Sequence, residues 1–333
     1  MRKLAAKDFC ASGFFALRTP LLPFDELLTW AEGAACSRAL ADPEAFARHC
    51  KEDLAELRAR LALACRRPEI REALFVASPS LEESLPAWEK DPDGERGERV
   101  QNAVVKYFQR MAARCTPFGL YAGGSVGVFG KSDRLRLGPR GAYVRHTRLD
   151  MDYLTALVDG LNQSADFRQE LRYFPNSSLF EFGETLRYAE ARLKGRHRSY
   201  FLVAATADGP LRDTIRRARH GARRAELAAA LASEAITPEE ALAYVDQVID
   251  AQILVPDLAP TLTGPESIDG LLDQLQDKPS ARQAREKLAW VRAELRKLDQ
   301  AGLGRDPARY RAVAAEIESL PADANLDRLF QVD

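Results

Sequence analysis

The sequence predicts an α+β fold of mixed helices and antiparallel sheets, with a winged-helix-like module embedded at residues 176–258. Three observations predict it. Apolar residues recur mostly at helical spacing from Asp25 to about Ala113. After Pro117 the period changes to short apolar runs separated by Gly-rich turns. Between 176 and 258, three strand-like runs joined by short turns precede three short helices. The expected divisions are an N-terminal α+β part at 1–175, the module at 176–258, and a linker with a helical segment ending in an incomplete strand at 259–333.

Taken in order, Phe14–Leu22 reads as the first strand, closed by Pro20 and Pro23. Within Pro43–Ala64, Phe46, Leu54, Leu57 and Leu61 fall at helical spacing. Residues 90–99 read as a charged turn or loop, with two Gly and a Pro. An amphipathic helix follows over roughly Glu98–Arg114, its apolar stripe formed by Val100, Val104, Phe108 and Met111. Leu120–Phe129, Leu135–Leu137 and Tyr143–Thr147 read as strands, and Met151–Leu161 as a helix. In the module, Ser178–Phe182, Thr185–Leu193 and Ser199–Ala205 are the strands, with turns at 183–184 and 194–198. Pro210–Arg219, Ala225–Ser233 and Pro238–Ala251 are the helices; Pro210 and Pro238 sit at helix starts, with Thr237 as an N-cap. Ile253–Val255 closes the unit, 259–265 is a linker, 268–320 is helical and highly charged, and 329–333 is strand-like.

Composition narrows the function classes. Forty-eight Lys and Arg face 49 Asp and Glu, a net charge of -1, so the chain is not a general polyanion binder. No apolar run approaches the roughly 18 residues a membrane helix needs. Near the N-terminus Lys7, Asp8 and Arg18 break up the stretch that follows Arg2 and Lys3, which argues against a secretory signal. The five cysteines, Cys10, Cys36, Cys50, Cys65 and Cys115, form no CxxC pair, so neither a disulfide scaffold nor a zinc ribbon is expected, and a reducing cytoplasm fits. The histidines, His49, His146, His197 and His220, are scattered, and no metal site is expected. Cys115 is expected to be a buried, inert thiol, and Trp30, Trp88 and Trp290 to be packing residues.

The densest chemical signal is RMAARCTPFGLYAGG at 110–124. Arg110 and Arg114, four apart, are expected on one helix face near its C-terminus, with Thr116 and Pro117 stopping the helix. Two readings stand: the cations offset the helix dipole and pair with nearby acids, or the guanidinium forks bind phosphate or carboxylate beside a Gly-rich strand entry.

This segment closely resembles the hallmark of nisin-type lantibiotic dehydratases. FFALRTPLLP (14–23), RLDMDYL (148–154) and FPNSSLFEFGETLRYAE (174–190) follow in the order of that family. The resemblance implies glutamylation of Ser and Thr side chains of a precursor peptide, with glutamyl-tRNA as co-substrate and no cofactor or metal. A separate domain then eliminates glutamate to leave dehydroamino acids. It implies roles in glutamylation for Arg110, Arg114, Thr116 and Asp150, and matches Asp333 to a further family acid. Cations suit a tRNA phosphate or a developing oxyanion; an Asp suits an amino group or a proton. For Asp150 a helix N-cap before Met151 is the competing reading. The family's glutamylating region is several times longer than this chain. A fragment, a truncated frame or one subunit of a split system is therefore expected, completed by another polypeptide and an elimination domain.

The module at 176–258 resembles the peptide-recognition element of enzymes that modify ribosomally made peptides, which implies leader-peptide binding as an added strand. DNA binding is the rival. RDTIRRARHGARR (212–224) carries six Arg, either a solvated face or a contact for tRNA or an acidic leader. The third helix region, TPEEALAYVDQVIDAQ (237–252), has four acids and no Lys or Arg, which repels a phosphate backbone. The alternatives to an enzyme are a leader-binding scaffold derived from this family and a winged-helix DNA-binding regulator.

Overall fold

The computed structural model describes residues 12–36, 40–132, 134–194 and 197–333. Arg2, Lys3, Lys7, Asp8 and Cys10, and residues 195–196 of the expected turn, lie outside the described residues. In chain order the elements are β1 (Phe14–Pro20), α1 (Phe24–Ala31), α2 (Pro43–Cys65), α3 (Pro68–Ala77), α4 (Pro79–Lys90), α5 (Glu95–Ala113), β2 (Ala122–Val128) and β3 (Thr147–Leu149). Then come α6 (Met151–Leu161), α7 (Ala165–Glu170), β4 (Arg172–Pro175), β5 (Phe180–Phe182), β6 (Thr185–Lys194), β7 (His197–Thr206) and α8 (Gly209–Arg217). The remainder are β8 (Ala222–Arg223), α9 (Arg224–Ala229), α10 (Pro238–Asp250), β9 (Leu254–Pro256), α11 (Ser267–Gln274), α12 (Arg282–Gln300), α13 (Pro307–Ile317), α14 (Leu326–Leu329) and β10 (Phe330–Val332). The mixture of helices with small antiparallel sheets is the expected α+β class.

The chain forms two compact units. The first comprises 1–148, 294–315 and 325–333; the second comprises 149–293 and 316–324. Residues 176–258 fall whole within the second, and the tail from 259 onwards is shared between the two.

In the first unit proline and short polar residues set the helix starts. Asp42 accepts from the Glu44 and Ala45 amides at 3.0 and 3.1 Å ahead of Pro43, and Ser78 caps α4 ahead of Pro79. The core gathers Leu61, Ile70, Leu74, Trp88, Val104, Phe108, Met111 and Tyr121. All four stripe residues of α5 are buried, as its periodicity predicts. β1 and β2 form an antiparallel ribbon with Phe14 opposite Val128 and Pro20 opposite Ala122. β10 pairs with β3.

Three expectations are corrected here. Helix α5 begins at Glu95 rather than Glu98, because Gly94 serves as N-cap and two glutamates of its first turn suit the positive end of the helix. Gly97 packs so tightly that a β-carbon would stand 2.1 Å from the Asp91 carbonyl oxygen, so this glycine belongs to the helix rather than to the turn. Leu135–Leu137 forms no strand, and of Tyr143–Thr147 only Thr147 enters one; among the described residues the rest lies in no sheet, although His146 exchanges backbone bonds with Asp333. Cys115 and Trp290 are exposed, not buried, whereas Trp88 is buried and Trp30 donates to the Leu57 carbonyl at 3.0 Å.

The first unit also holds a buried polar network. Glu72 and Arg145 are both nearly inaccessible and form an ion pair. Glu72 also accepts from the Tyr310 hydroxyl at 2.7 Å and from the Gly304 and Arg305 amides at 2.7 and 2.9 Å. Arg145 donates to Thr147 as well, with Asp299 at 3.5 Å as a second carboxylate. Every charge is paired, which is the condition for burying one at tolerable cost.

In the second unit, β5, β6 and β7 form a three-stranded sheet in that order, and β8, β4 and β9 a second one. Thr237 and Glu240 make a reciprocal capping box at the start of α10. Gly160 lies against the Pro321 carbonyl, where a β-carbon would stand 2.1 Å from the oxygen.

Candidate functional site

The burial of the α5 stripe puts Arg110 on the flank of the last turn, half-buried. The helix ends at Ala113, one residue short of the expectation. Arg114 is its C-cap, in extended conformation, with its amide still donating to the Arg110 carbonyl at 3.1 Å. The pair therefore does not share a helix face as two helical residues; the chain turns away at Arg114. Two backbone bonds hold this turn in place: the Leu22 amide donates to the Met111 carbonyl, and the Leu21 amide to the Tyr121 carbonyl, both at 2.9 Å. Gly119 adopts φ +51, the left-handed region that favours glycine, with Val76 3.0 Å from where a β-carbon would stand.

The Arg110 guanidinium carbon lies 4.2 Å from the centroid of the Phe118 ring. Its Nε is buried, with no hydrogen-bond partner among the described residues. Phe118 packs against Tyr121 at 5.4 Å and Tyr107 at 6.5 Å between centroids. Burial pushes the Tyr121 phenol well above its ordinary range, and its hydroxyl has no partner either. Arg114 and Thr116 are exposed. Among the described residues neither Arg110 nor Arg114 forms an ion pair. The reading in which these cations pair with nearby acids is thus not what the structure shows; two uncommitted guanidinium groups and a hydroxyl lie within one short segment.

Asp150 belongs to the second unit. It is half-buried and caps α6, accepting from the Asp152 amide at 2.8 Å, so the cap reading of this residue is realised. Asp333, in the first unit, pairs with Arg148 at 2.7 Å, and its backbone exchanges hydrogen bonds with His146 at 2.8 and 2.9 Å. Among the described residues no group of three or more His, Cys, Asp or Glu could hold a metal ion.

In the second unit β6 is central and β7 is the edge strand. Beyond Arg187 the side of β6 facing away from β7 has no strand partner, and side chains take its place. The Ala189 amide donates to Ser178 at 2.8 Å and its carbonyl accepts from Asn176 at 3.1 Å. Gln252 both accepts from the Ala191 amide and donates to its carbonyl, each at 2.8 Å. Gln252 does this from φ +58, the one described non-Gly residue with positive φ. Such blocking of a free edge is a known protection against unwanted pairing.

Among the described residues no strand pairs with the outer edge of β7. Ala189 and Ala191 point their backbone groups away from β7, so in this register Ser199, Phe201 and Val203 bond inward and Tyr200, Leu202 and Ala204 point outward. Tyr200, Phe201 and Leu202 are 68%, 45% and 65% exposed, an apolar run along an unpaired edge. Of the six arginines at 212–224, Arg212 pairs with Glu181, Arg216 with Asp213 and Arg224 with Asp246. Half of the basic cluster is thereby committed inside the unit.

A separate cavity of about 590 Å³ in the same unit is lined by Asp159, Asn162, Arg168, Arg198, Asp250 and Gln252, among others. Both of its arginines are tied to its own carboxylates, so it offers no free cation.

The comparisons with known proteins fall in line with this architecture. The family described as lantibiotic dehydratase, N terminus, matches residues 66–333, and the chain belongs to it. It is 24% identical over 218 residues to the subtilin biosynthesis protein of Bacillus subtilis, covering 64% of this chain and 21% of that one. It is 31% identical over 114 residues to the nisin biosynthesis protein of Lactococcus lactis subsp. lactis, covering 34% and 11%. The chain thus spans about a fifth or less of the length of these relatives. Its fold is that of the tRNA-dependent lantibiotic dehydratase MibB from Microbispora sp. 107891, with a TM-score of 0.66 at 22% identity over 82% of this chain and 27% of that one. The glutamylation domain of TbtB from thiomuracin biosynthesis matches 95% of this chain and 48% of its own, with a TM-score of 0.59 at 17% identity.

Beside the expected Arg110, Arg114, Thr116 and Asp150, two further residues shape these surfaces, Phe118 against Arg110 and Gln252 on the β6 edge. Phe118 stood in the hallmark segment and carried a signal, an aromatic ring eight residues after an arginine. Gln252 carried none, since its role depends on a backbone conformation that no local pattern announces.

Proposed function

We propose that this chain is the N-terminal portion of an enzyme that glutamylates Ser and Thr of a ribosomally made precursor peptide, with glutamyl-tRNA as co-substrate, towards dehydroamino acids. The observation that carries the reading is the match of 95% of the chain to a glutamylation domain. In the reaction a Ser or Thr hydroxyl oxygen bonds to the glutamyl ester carbon, and the bond to the tRNA ribose oxygen breaks. The hydroxyl proton ends on that ribose oxygen. Negative charge gathers in between on the carbonyl oxygen of the ester, as the tetrahedral intermediate forms, where fixed cationic donors act most strongly. Arg110 and Arg114 are suited to that charge or to a tRNA phosphate, because neither is neutralised by an acid among the described residues. Thr116 lies beside them as a hydroxyl donor or acceptor. Asp150 serves amino-group orientation in addition to its cap. No cofactor or metal is required, and a tRNA co-substrate implies work in the cytoplasm. A further polypeptide segment and an elimination domain complete the sequence of reactions.

Residues 176–258 act as a winged-helix-like leader-binding module, with the leader added as a strand to the open β7 edge. The outward donors of Tyr200, Leu202 and Ala204 supply the ladder, and the apolar run supplies side-chain contacts. The acidic α10 and the committed arginines oppose a DNA backbone there.

The test incubates the protein, alone and with any completing polypeptide, with precursor peptide, glutamate, tRNA and the cognate synthetase, and reads the glutamyl mass increment. Leader binding with no increment under any combination would favour a non-catalytic leader-binding scaffold instead.

A further inference from the structure

We infer that Phe118 is a positioning residue that holds the Arg110 guanidinium flat and leaves its in-plane donors free for an oxyanion, phosphate or carboxylate; only the assignment of that anion to glutamyl-tRNA rests on the proposed function. The stacking distance is 4.2 Å, and the ring is itself fixed between Tyr107 and Tyr121. A ring face attracts a guanidinium without using any of its five N–H donors, all of which lie in the plane. A carboxylate in the same place would hold Arg110 equally well but would consume those donors and cancel the charge. Among the described residues three of the other four stacked arginines show the contrast, while Arg187, 5.1 Å from the Phe182 centroid with its Nε also buried and unmatched, resembles Arg110. Arg192 over Phe201 is bonded to Glu190, Arg311 over Phe75 to Glu82 and Glu83, and Arg145 near Tyr310 to Glu72. Among the described residues Arg110 has no such acid, its Nε is buried and unmatched, and Arg114, four residues on, forms no ion pair. Phe118 is 37% exposed, so its ring is not simply a core residue.

The experiment uses the full chain labelled at arginine with ¹³C and ¹⁵N. The Arg110 side-chain signals are assigned by Arg110→Lys and followed through titrations with inorganic phosphate and, separately, free glutamate. The expected result is a ring-current displacement present in the wild type and in Phe118→Tyr and lost in Phe118→Leu. At least one anion gives a saturable shift, about fivefold weaker in Phe118→Leu and restored in Phe118→Tyr, the size of one stacking contact of about 1 kcal/mol. Which anion saturates at lower concentration tells a phosphate subsite from a carboxylate one. Unchanged affinity in Phe118→Leu, or no saturable shift with either anion in the wild type, overturns the inference. If Phe118→Leu fails to fold, Phe118→Met takes its place. A wild type that binds the anion in this way yet yields no glutamyl adduct would defeat the proposed function while leaving the role of Phe118 intact.

Discussion

Replacing Glu72 by alanine tests the buried network of the first unit most directly. The substitution removes the acceptor of Arg145, the Tyr310 hydroxyl and the Gly304 and Arg305 amides together. Breaking a buried ion pair from one side costs about 3–5 kcal/mol, because the remaining charge is stranded. Asp299, 3.5 Å from Arg145, offsets part of that cost, while the two orphaned amides add about 1 kcal/mol each. The expected loss is therefore about 4 kcal/mol, a fall in Tm of roughly 10 °C for a chain of this size. Urea titration and calorimetry measure it. The double variant Glu72→Leu/Arg145→Leu should regain part of the loss, since the stranded Arg145 guanidinium is then gone and only the partly exposed Asp299 loses an ion partner. A loss below about 1 kcal/mol for Glu72→Ala, or a double variant less stable than the single, would refute the reasoning.

Three further outcomes are expected. Arg114→Ala should lower glutamyl transfer in the assembled enzyme by about a hundredfold, the size of one lost oxyanion contact of about 3 kcal/mol, with little change in Tm because Arg114 is exposed and unpaired; comparable losses in Tm and rate would contradict this. Leu202→Pro should weaken leader-peptide binding about fivefold or more, measured by fluorescence anisotropy, by deleting an outward donor while sparing the β6–β7 ladder; Phe201→Pro, which strikes the ladder itself, should instead destabilise the sheet. Burial pushes the Cys65 thiol up to about 12, so at pH 8 its reactive thiolate is about one part in ten thousand. It should resist iodoacetamide while exposed Cys115 is alkylated, and its rate should rise as pH approaches 12; equal labelling of the two by peptide mass spectrometry at pH 8 would show the burial to be absent.

Much of this architecture is legible residue by residue. The period of Val100, Val104, Phe108 and Met111 predicts both α5 and its buried face, because a helix repeats every 3.6 residues whatever surrounds it. Pro43 and Pro238 mark helix starts through a fixed φ and a missing donor, which are properties of the residue itself. The alternation that suggested strands at 135–137 and 143–147 fares worse, since a strand exists only where a partner supplies its hydrogen bonds.

The candidate site divides along the same line. The sequence by itself determined the hallmark segment, the residue types that can meet an anion, and the three strands followed by three helices at 176–258. Only the tertiary structure decided that Arg114 leaves the helix, that Phe118 rather than an acid sits against Arg110, and that β7 rather than β6 keeps an open edge. The physical reason is range. Propensity and periodicity act over a few residues, whereas Leu22 bonded to Met111, Glu72 to Arg145 and Gln252 to Ala191 join residues that only the folded chain brings together.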